Sequence, residues 1–350
     1  MLEDIKKLLE SGVSKHHFPG AHYAIVYHDG TILKDVVGYK ETLNEKVVNT
    51  SDVIYDCASL TKVICTTSMI MKLIEDGDLT LDTKVSSILR RFKHPSITIE
   101  SLLTHTSKLP ADVRNSRLMS TKKEVIDYIY NVDLLKDNNP HIVYSDIGFI
   151  LLGEVIETIT KKPLDVYAKE VIFDPLQMND SSYHPDPNRC APTEYRKDVV
   201  FEGLLRGKVH DEKAYAMNGV AGHAGLFSTV NDLSKFILSF LRNDESVLMK
   251  NTVDMLFPLR AREVRQDQTD LVRSLGWDKP TIGGTAGDYF KFEETIVHTG
   301  FTGCNIWIDR YHGVGFVMLS NAVHPKRENN KIIQYRNHIG NIILKENEED

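Results

Sequence analysis

The chain has 350 residues, of which 26% are charged and 41% hydrophobic, with a formal net charge of −7. That length supports a large buried core, arranged as one large domain or two interlocked ones. The acidic balance excludes the basic footprint of a nucleic-acid-binding protein, and no apolar run is long enough to span a bilayer, so no membrane partner is expected.

The first residues, Met1-Leu2-Glu3-Asp4-Ile5-Lys6-Lys7, carry acids and no apolar h-region, which makes a cytoplasmic location the default expectation. Leu2, Ile5, Leu8 and Leu9 form one helical stripe that ends at Gly12. Residues 21–27 and 31–37, split by His28-Asp29-Gly30, predict a hairpin, because Asp-Gly between two apolar runs suits a tight turn. Cys57, Cys65, Cys190 and Cys304 show no Cys-x-x-Cys spacing and read as reduced, mostly buried thiols.

Residues 53–58 suit an extended approach to a helix that starts near Ser59. That helix is apolar on nearly every side and leaves through Glu75-Asp76-Gly77, a pattern of burial rather than of a surface helix. Ser59-Leu60-Thr61-Lys62 places a hydroxyl and an amine three residues apart, on one helix face. A serine needs a base to become a nucleophile, and a lysine kept neutral by burial and by the positive helix end can serve. Taken alone, the same four residues equally describe a serine cap with a solvated lysine. Ser120-Thr121-Lys122-Lys123 repeats the spacing, but Thr121 and Glu124 form a capping box, so Ser120 is set aside.

Residues 97–103, 122–130, 147–160 and 232–241 predict helices. Tyr144-Ser145-Asp146 precedes the third of them, with Asp146 as its expected cap. Residues 296–303 read as a strand running through His298-Thr299-Gly300 into a turn, where glycine permits close backbone approach. Residues 304–308 and 313–319 predict a second hairpin, 331–344 a last helix, and 346–350 a frayed acidic tail. The expected fold is α/β. An antiparallel sheet from both chain ends (1–58 and 220–350) is flanked by helices, residues 59–219 form a mainly helical domain, and the active site lies at the seam.

No His-Glu-x-x-His pair, Gly-x-Ser-x-Gly elbow or phosphate loop is present, and His210-Asp211 is only a weak ligand pair; no metal and no cofactor are expected. In chain order, Ser59-x-x-Lys62, Tyr144-x-Asp146 and His298-Thr299-Gly300 resemble the serine β-lactamase and penicillin-binding-protein superfamily, in the branch of class C β-lactamases, DD-peptidases and related esterases. Residues 101–107 and 222–229 add to the likeness, which runs from about Phe18 to about Asn321.

That resemblance implies a β-lactamase/transpeptidase-like fold and a serine hydrolase. Ser59 would be the nucleophile, with Lys62 and Tyr144 sharing proton transfer and the backbone amides of Ser59 and Phe301 forming the oxyanion hole. Asp146, His298, Thr299, Gly300 and His223 would bind substrate; His105, His210 and His223 equally admit a structural reading. His298 replaces the usual lysine and would keep a donor at that edge with a weaker or pH-dependent charge. Asp146 stands where class C enzymes have Asn, and Lys108 where glycine is usual.

More narrowly, residues 209–212, 222–229, 298–303 and 321–325 resemble a bacterial subgroup with peptidoglycan-recycling amidases that cut N-acetylmuramyl–L-alanine. The expected partner is a small-molecule or short-peptide substrate such as a muropeptide. The alternatives are a promiscuous esterase or weak β-lactamase, and a non-catalytic module that binds muropeptides or a partner.

Overall fold

The two chain ends meet in one six-stranded antiparallel sheet; the computed structural model describes residues 1–136 and 141–348. Its strands are β1 (Gly20–Tyr27), β2 (Ile32–Glu41), β3 (Val47–Val48), β4 (Thr295–Thr299), β5 (Asn305–Asp309) and β6 (Val314–Ser320), in the order β4-β5-β6-β1-β2-β3. The join is β1 against β6, in register from Ala21 opposite Ser320 to Tyr27 opposite Val314.

Strand alternation sends β1 to two cores. Ala21, Tyr23 and Ile25 pack with Trp307, Phe316 and Met318, under helices α1 (Leu2–Ser14) and α4 (Ile333–Glu348). Ala24 and Val26 face the other way, toward Phe236, Ile237 and Phe240 of α3 (Val230–Arg242). Burial on both faces explains why β1 and β6 read as near-continuous apolar runs. The inner cluster continues without a break into the helical middle, including Leu102, Phe149 and Leu152. No described helix is long and apolar enough to cross a membrane.

Both predicted hairpins form, as do helices over Ile99–Leu103, Lys122–Asn131 and α2 (Asp146–Thr160). Thr121 and Glu124 make the expected capping box, and Glu124 also accepts from the Ser120 amide, so Ser120 belongs to a helix cap. Several boundaries differ. Helix α1 passes through Gly12 to Ser14, since Gly12 leaves room for Phe18: a Cβ there would lie 2.5 Å from its ring. The cap of α2 is Ser145, whose Oγ accepts from the Gly148 amide at 3.3 Å, and Asp146 is the first helical residue, free to point elsewhere. Helix α4 starts at Ile333 and continues to Glu348, so the expected tail is largely its last turn; Glu349 and Asp350 lie outside the described residues.

Candidate active site

Tyr55–Asp56 pairs with Phe227–Ser228 and delivers the chain to a tight turn in which Ala58 takes φ +47°. Asp56 pins that turn. Its carboxylate accepts from the amides of Ala58 (2.8 Å) and His210 (2.7 Å), and its carbonyl accepts from Thr302 Oγ1 at 2.8 Å. Burial raises the Asp56 pKa, with the two amides opposing. Across the turn, Gly300 lies against the same backbone: a Cβ there would be 2.7 Å from the Cys57 carbonyl oxygen. The ends of β4 and of the nucleophile turn are thus locked together. Among the described residues, neither the Ser59 nor the Phe301 amide donates to another backbone group, as an oxyanion hole requires.

Lys62 opens a π-helical turn, Lys62–Thr67, that passes into an α-helix at Ser68. Single π turns recur at functional sites. Lys62 is fully buried, and its Nζ donates to Ser59 Oγ at 3.1 Å and to the His223 carbonyl at 3.0 Å, and lies 2.7 Å from Asp146 Oδ1. Burial alone would neutralise it. Asp146, then Tyr144, outweigh burial and hold the Lys62 pKa above the ordinary lysine value. The expectation of a neutral lysine therefore fails: the resting site holds an ammonium beside the serine.

Asp146 also reaches a second buried lysine. Lys213 Nζ is 3.2 Å from Asp146 Oδ2, 2.8 Å from Asp211 and 2.9 Å from Asp112, and Asp211 meets His223 Nε2 at 2.7 Å. Burial opposes charge at Asp146 and Asp211, but the neighbouring cations hold both carboxyls below their usual range. Asp146, Asp211 and His223 bring ligand atoms within 4.8 Å of one another, the spacing of a cation site. Lys213 already bridges the two carboxylates, so this donor set is matched to an ammonium. His223 is buried beneath these charges and is not on the cavity wall, away from the substrate-binding position expected for it.

Tyr144 stands between two cations, its ring centroid 5.0 Å from Lys62 Nζ and 5.5 Å from the Arg273 guanidinium carbon. His105 sets its position. The His105 carbonyl accepts from the Val143 amide (3.0 Å), Nδ1 accepts from the Ser145 amide (3.0 Å), and the rings of His105 and Tyr144 lie 4.6 Å apart. Burial, reinforced by Arg273 and Lys62, keeps His105 neutral, its proton on Nε2. His105 is thus a positioning residue at φ +59°.

His298, on β4, bonds the Thr299 carbonyl through Nδ1 at 3.0 Å, which puts the proton there and leaves Nε2 without a partner among the described residues. Burial, then Lys62 and Arg273, lower its pKa to about 3. Of the weaker or pH-dependent charge expected at this position, the weaker is what the lowered pKa gives: His298 is a neutral edge near pH 7.

A cavity of about 730 Å³ opens over Ser59, with Tyr144, Asp146, His298, Thr299, Gly300 and Phe301 in its wall. Lys213, Arg273 and Arg336 add cations, and Asp112 and Asp278 anions; Arg273 is paired with Asp278. His210 is also in the wall, its Nε2 3.0 Å from Glu194. A hollow of about 810 Å³ lies between α1 and the β2–β3 edge, but its buried His324 is tied to the Thr42 amide and the Thr193 carbonyl, its Ser14 hydroxyl donates to the Ser11 carbonyl, and among the described residues no hydroxyl in its wall is bonded to a histidine or lysine. Asp56, Lys213 and Arg273 escaped the sequence reading. Each is a lone residue in a short strand, helix or hairpin, with no spacing that marks it.

A family model described as Beta-lactamase matches residues 5–340. The chain is 30% identical to the N-acetylmuramyl-L-alanine amidase of Bacillus subtilis (strain 168), over 92% of this chain and 81% of that protein. It is also 30% identical to a putative D-alanyl-D-alanine carboxypeptidase of Escherichia coli (strain K12), over 85% and 73%. The octameric penicillin-binding protein homologue from Pyrococcus abyssi superposes with a TM-score of 0.78 at 21% identity, covering 98% of this chain and 77% of that one.

Proposed function

The chain belongs to the Beta-lactamase family, whose members are serine hydrolases, and on that premise we propose that it opens a small muropeptide at an amide carbonyl through an acyl-enzyme on Ser59. The observation that carries this reading is the contact of Ser59 Oγ with Lys62 Nζ at the floor of a polar cavity. Ser59 Oγ attacks the carbonyl, and the oxyanion is held by the Ser59 and Phe301 amides. The C–N bond breaks, the amine leaves with the proton taken from Ser59, and water then releases the acid.

Lys62 already donates to Ser59 Oγ and is charged, so the serine proton is assigned to the Tyr144 oxygen acting as a phenolate between the Lys62 and Arg273 cations; it becomes the phenol and returns that proton to the leaving amine, with Lys62 as the fixed positive charge that steadies the nucleophile. Two observations favour a muropeptide over a β-lactam. Both oxygens of Asp146 are engaged by lysines, which leaves no amide donor where class C enzymes present one. The wall also carries charges of both signs, suited to a peptide with a free carboxylate. An amidase for N-acetylmuramyl–L-alanine is the specific activity proposed, in line with the Bacillus subtilis relative.

The test is turnover of N-acetylmuramyl-L-alanine, a D-alanyl-D-alanine peptide, p-nitrophenyl acetate and nitrocefin, with intact mass recorded during reaction. Ser59→Ala should lose roughly a thousandfold or more of kcat, and the trapped acyl group should map to Ser59. Undiminished turnover by Ser59→Ala overturns the reading.

A further inference from the structure

We propose that the side chain of Phe301 is a stacking platform for a pyranose ring carried on the acyl side of the scissile bond. This rests on the muropeptide reading above and deepens it by naming the residue on which the sugar of the acyl group rests.

Phe301 is 56% exposed at the cavity lip. It is nonetheless held still. The buried Thr302 next to it is bonded to the Asp56 carbonyl at 2.8 Å, and the Phe301 carbonyl accepts from Asn330 Nδ2 at 2.9 Å. The His210 ring stacks on Phe301 at 5.7 Å and 24°, and the Arg327 guanidinium carbon lies 5.9 Å from the ring centroid. Both supports are themselves fastened, His210 by Glu194 and the Asp56 carboxylate, Arg327 by Glu194 and Glu212. A ring backed by a parallel imidazole and open to a cavity presents one flat face to a ligand. The face of an aromatic ring is electron-rich, so it attracts the polarised C–H bonds on the flat side of a sugar. Arg327 Nη1 has no hydrogen-bond partner among the described residues and stands ready for a ring hydroxyl or acetamide oxygen.

Reach decides which side of the substrate meets the ring. The Phe301 amide and its aromatic ring are separated by Cα and Cβ. In a muramyl amide the carbonyl carbon and the sugar carbon are likewise separated by two atoms, the lactyl carbon and the ether oxygen. An oxyanion held by the Phe301 amide therefore leaves the sugar within reach of the ring of the same residue. A D-alanyl-D-alanine peptide would put only a methyl group and a peptide amide there.

A matched pair of substrates tests this: N-acetylmuramyl-L-alanine, and 2-methoxypropanoyl-L-alanine, in which a methyl group replaces the sugar. The readout is the ratio of their kcat/KM values. Phe301→Ala and Phe301→Leu should each lower that ratio about tenfold or more, chiefly through KM for the muramyl substrate, and Phe301→Trp should restore it. Equal losses on both substrates would mean that the ring only shapes the loop, and an unchanged ratio would mean that no sugar rests on it; either overturns the platform. Phe301→Leu keeps apolar bulk, so a folding defect in Phe301→Ala leaves the test intact. If the unaltered enzyme acylates Ser59 with p-nitrophenyl acetate but turns over neither lactyl amide, the muropeptide reading itself falls.

Discussion

Lys62 Nζ and Asp146 Oδ1 lie 2.7 Å apart, with the lysine out of contact with solvent. Asp146→Asn removes the anion that keeps Lys62 charged and leaves burial as the dominant influence, so the Lys62 pKa should fall. The acid limb of the kcat/KM profile should then move to lower pH by about a unit or more, because a neutral Lys62 can take the serine proton itself. The variant should also be less stable by about 3–5 kcal/mol, since Lys62 and Lys213 each lose a partner. An unshifted pH–rate profile would show that Asp146 does not set the lysine's charge.

His105 bears on the reaction by holding Tyr144, through the ring contact and through the Val143 and Ser145 amides. His105→Phe keeps a ring but strands that amide, at a cost of about 1–3 kcal/mol. The expected kinetic signature is a kcat lowered roughly tenfold or more with KM little changed, since the proton-transfer phenol is misplaced. His105→Asn, which offers an oxygen near the place of Nδ1 and tolerates positive φ, should recover most of the loss. If Phe and Asn behave alike, the hydrogen bond is not what positions Tyr144.

Gly300→Ala should separate fold from chemistry. The new Cβ would stand 2.7 Å from the Cys57 carbonyl oxygen and 3.4 Å from the Ala58 Cβ, so the nucleophile turn or β4 must shift. Misplacement on the ångström scale costs about a hundredfold in rate. Labelling of Ser59 by a fluorescent phosphonate should slow by that order, while the melting temperature drops by only about 5 °C. Labelling at the normal rate would mean that the two turns are not coupled.

Buried neutral histidines make stability depend on pH. His22 is lowered to about 4 and His298 to about 3, in both cases first by burial, and His105 lies well below its usual value. In the unfolded chain each takes a proton near pH 6.5, so below that pH the unfolded state binds more protons. The stability they contribute is therefore present above about pH 6.5 and lost as pH falls toward their folded values. Each contributes a slope of up to about 1.4 kcal/mol per pH unit. The carboxyls of Asp146 and Asp211, held low in the fold, add a further loss below about pH 4. Urea denaturation at pH 7.5, 6.5, 5.5 and 4.5 should give a steady fall from 6.5 downward; a flat curve would mean that these imidazoles are not buried neutral.

The sheet was legible because β1, β2, β5 and β6 are apolar runs punctuated by turn residues, and a tight turn has local chemistry. Ser59, Lys62 and Tyr144 were legible as ordered short motifs. What the motifs could not convey was charge. Whether Lys62 is neutral depends on Asp146, and Asp146 in turn on Lys213; these are contacts between distant segments that leave no periodicity. The π turn at Lys62 was equally hidden, since Lys62-Val63-Ile64-Cys65-Thr66-Thr67 reads as an ordinary apolar helix. Ser145 and Asp146 are both good caps, and only the direction of the Asp146 carboxylate toward the lysines separates them.

The pairing of β1 with β6 has a consequence for how the enzyme comes into being. Ser59 and Lys62 are synthesised early, but the strand that completes β1 and the amide of Phe301 emerge only near the other end of the chain. Until then the first hairpin has its most apolar strand uncovered, a state that favours slow folding and association with other chains. A chain interrupted before β4 would carry its nucleophile and no oxyanion donor from Phe301. With Ser59 and the Phe301 amide in their proposed roles, activity is a property of the finished polypeptide, since the two groups meet only once β4 has been made.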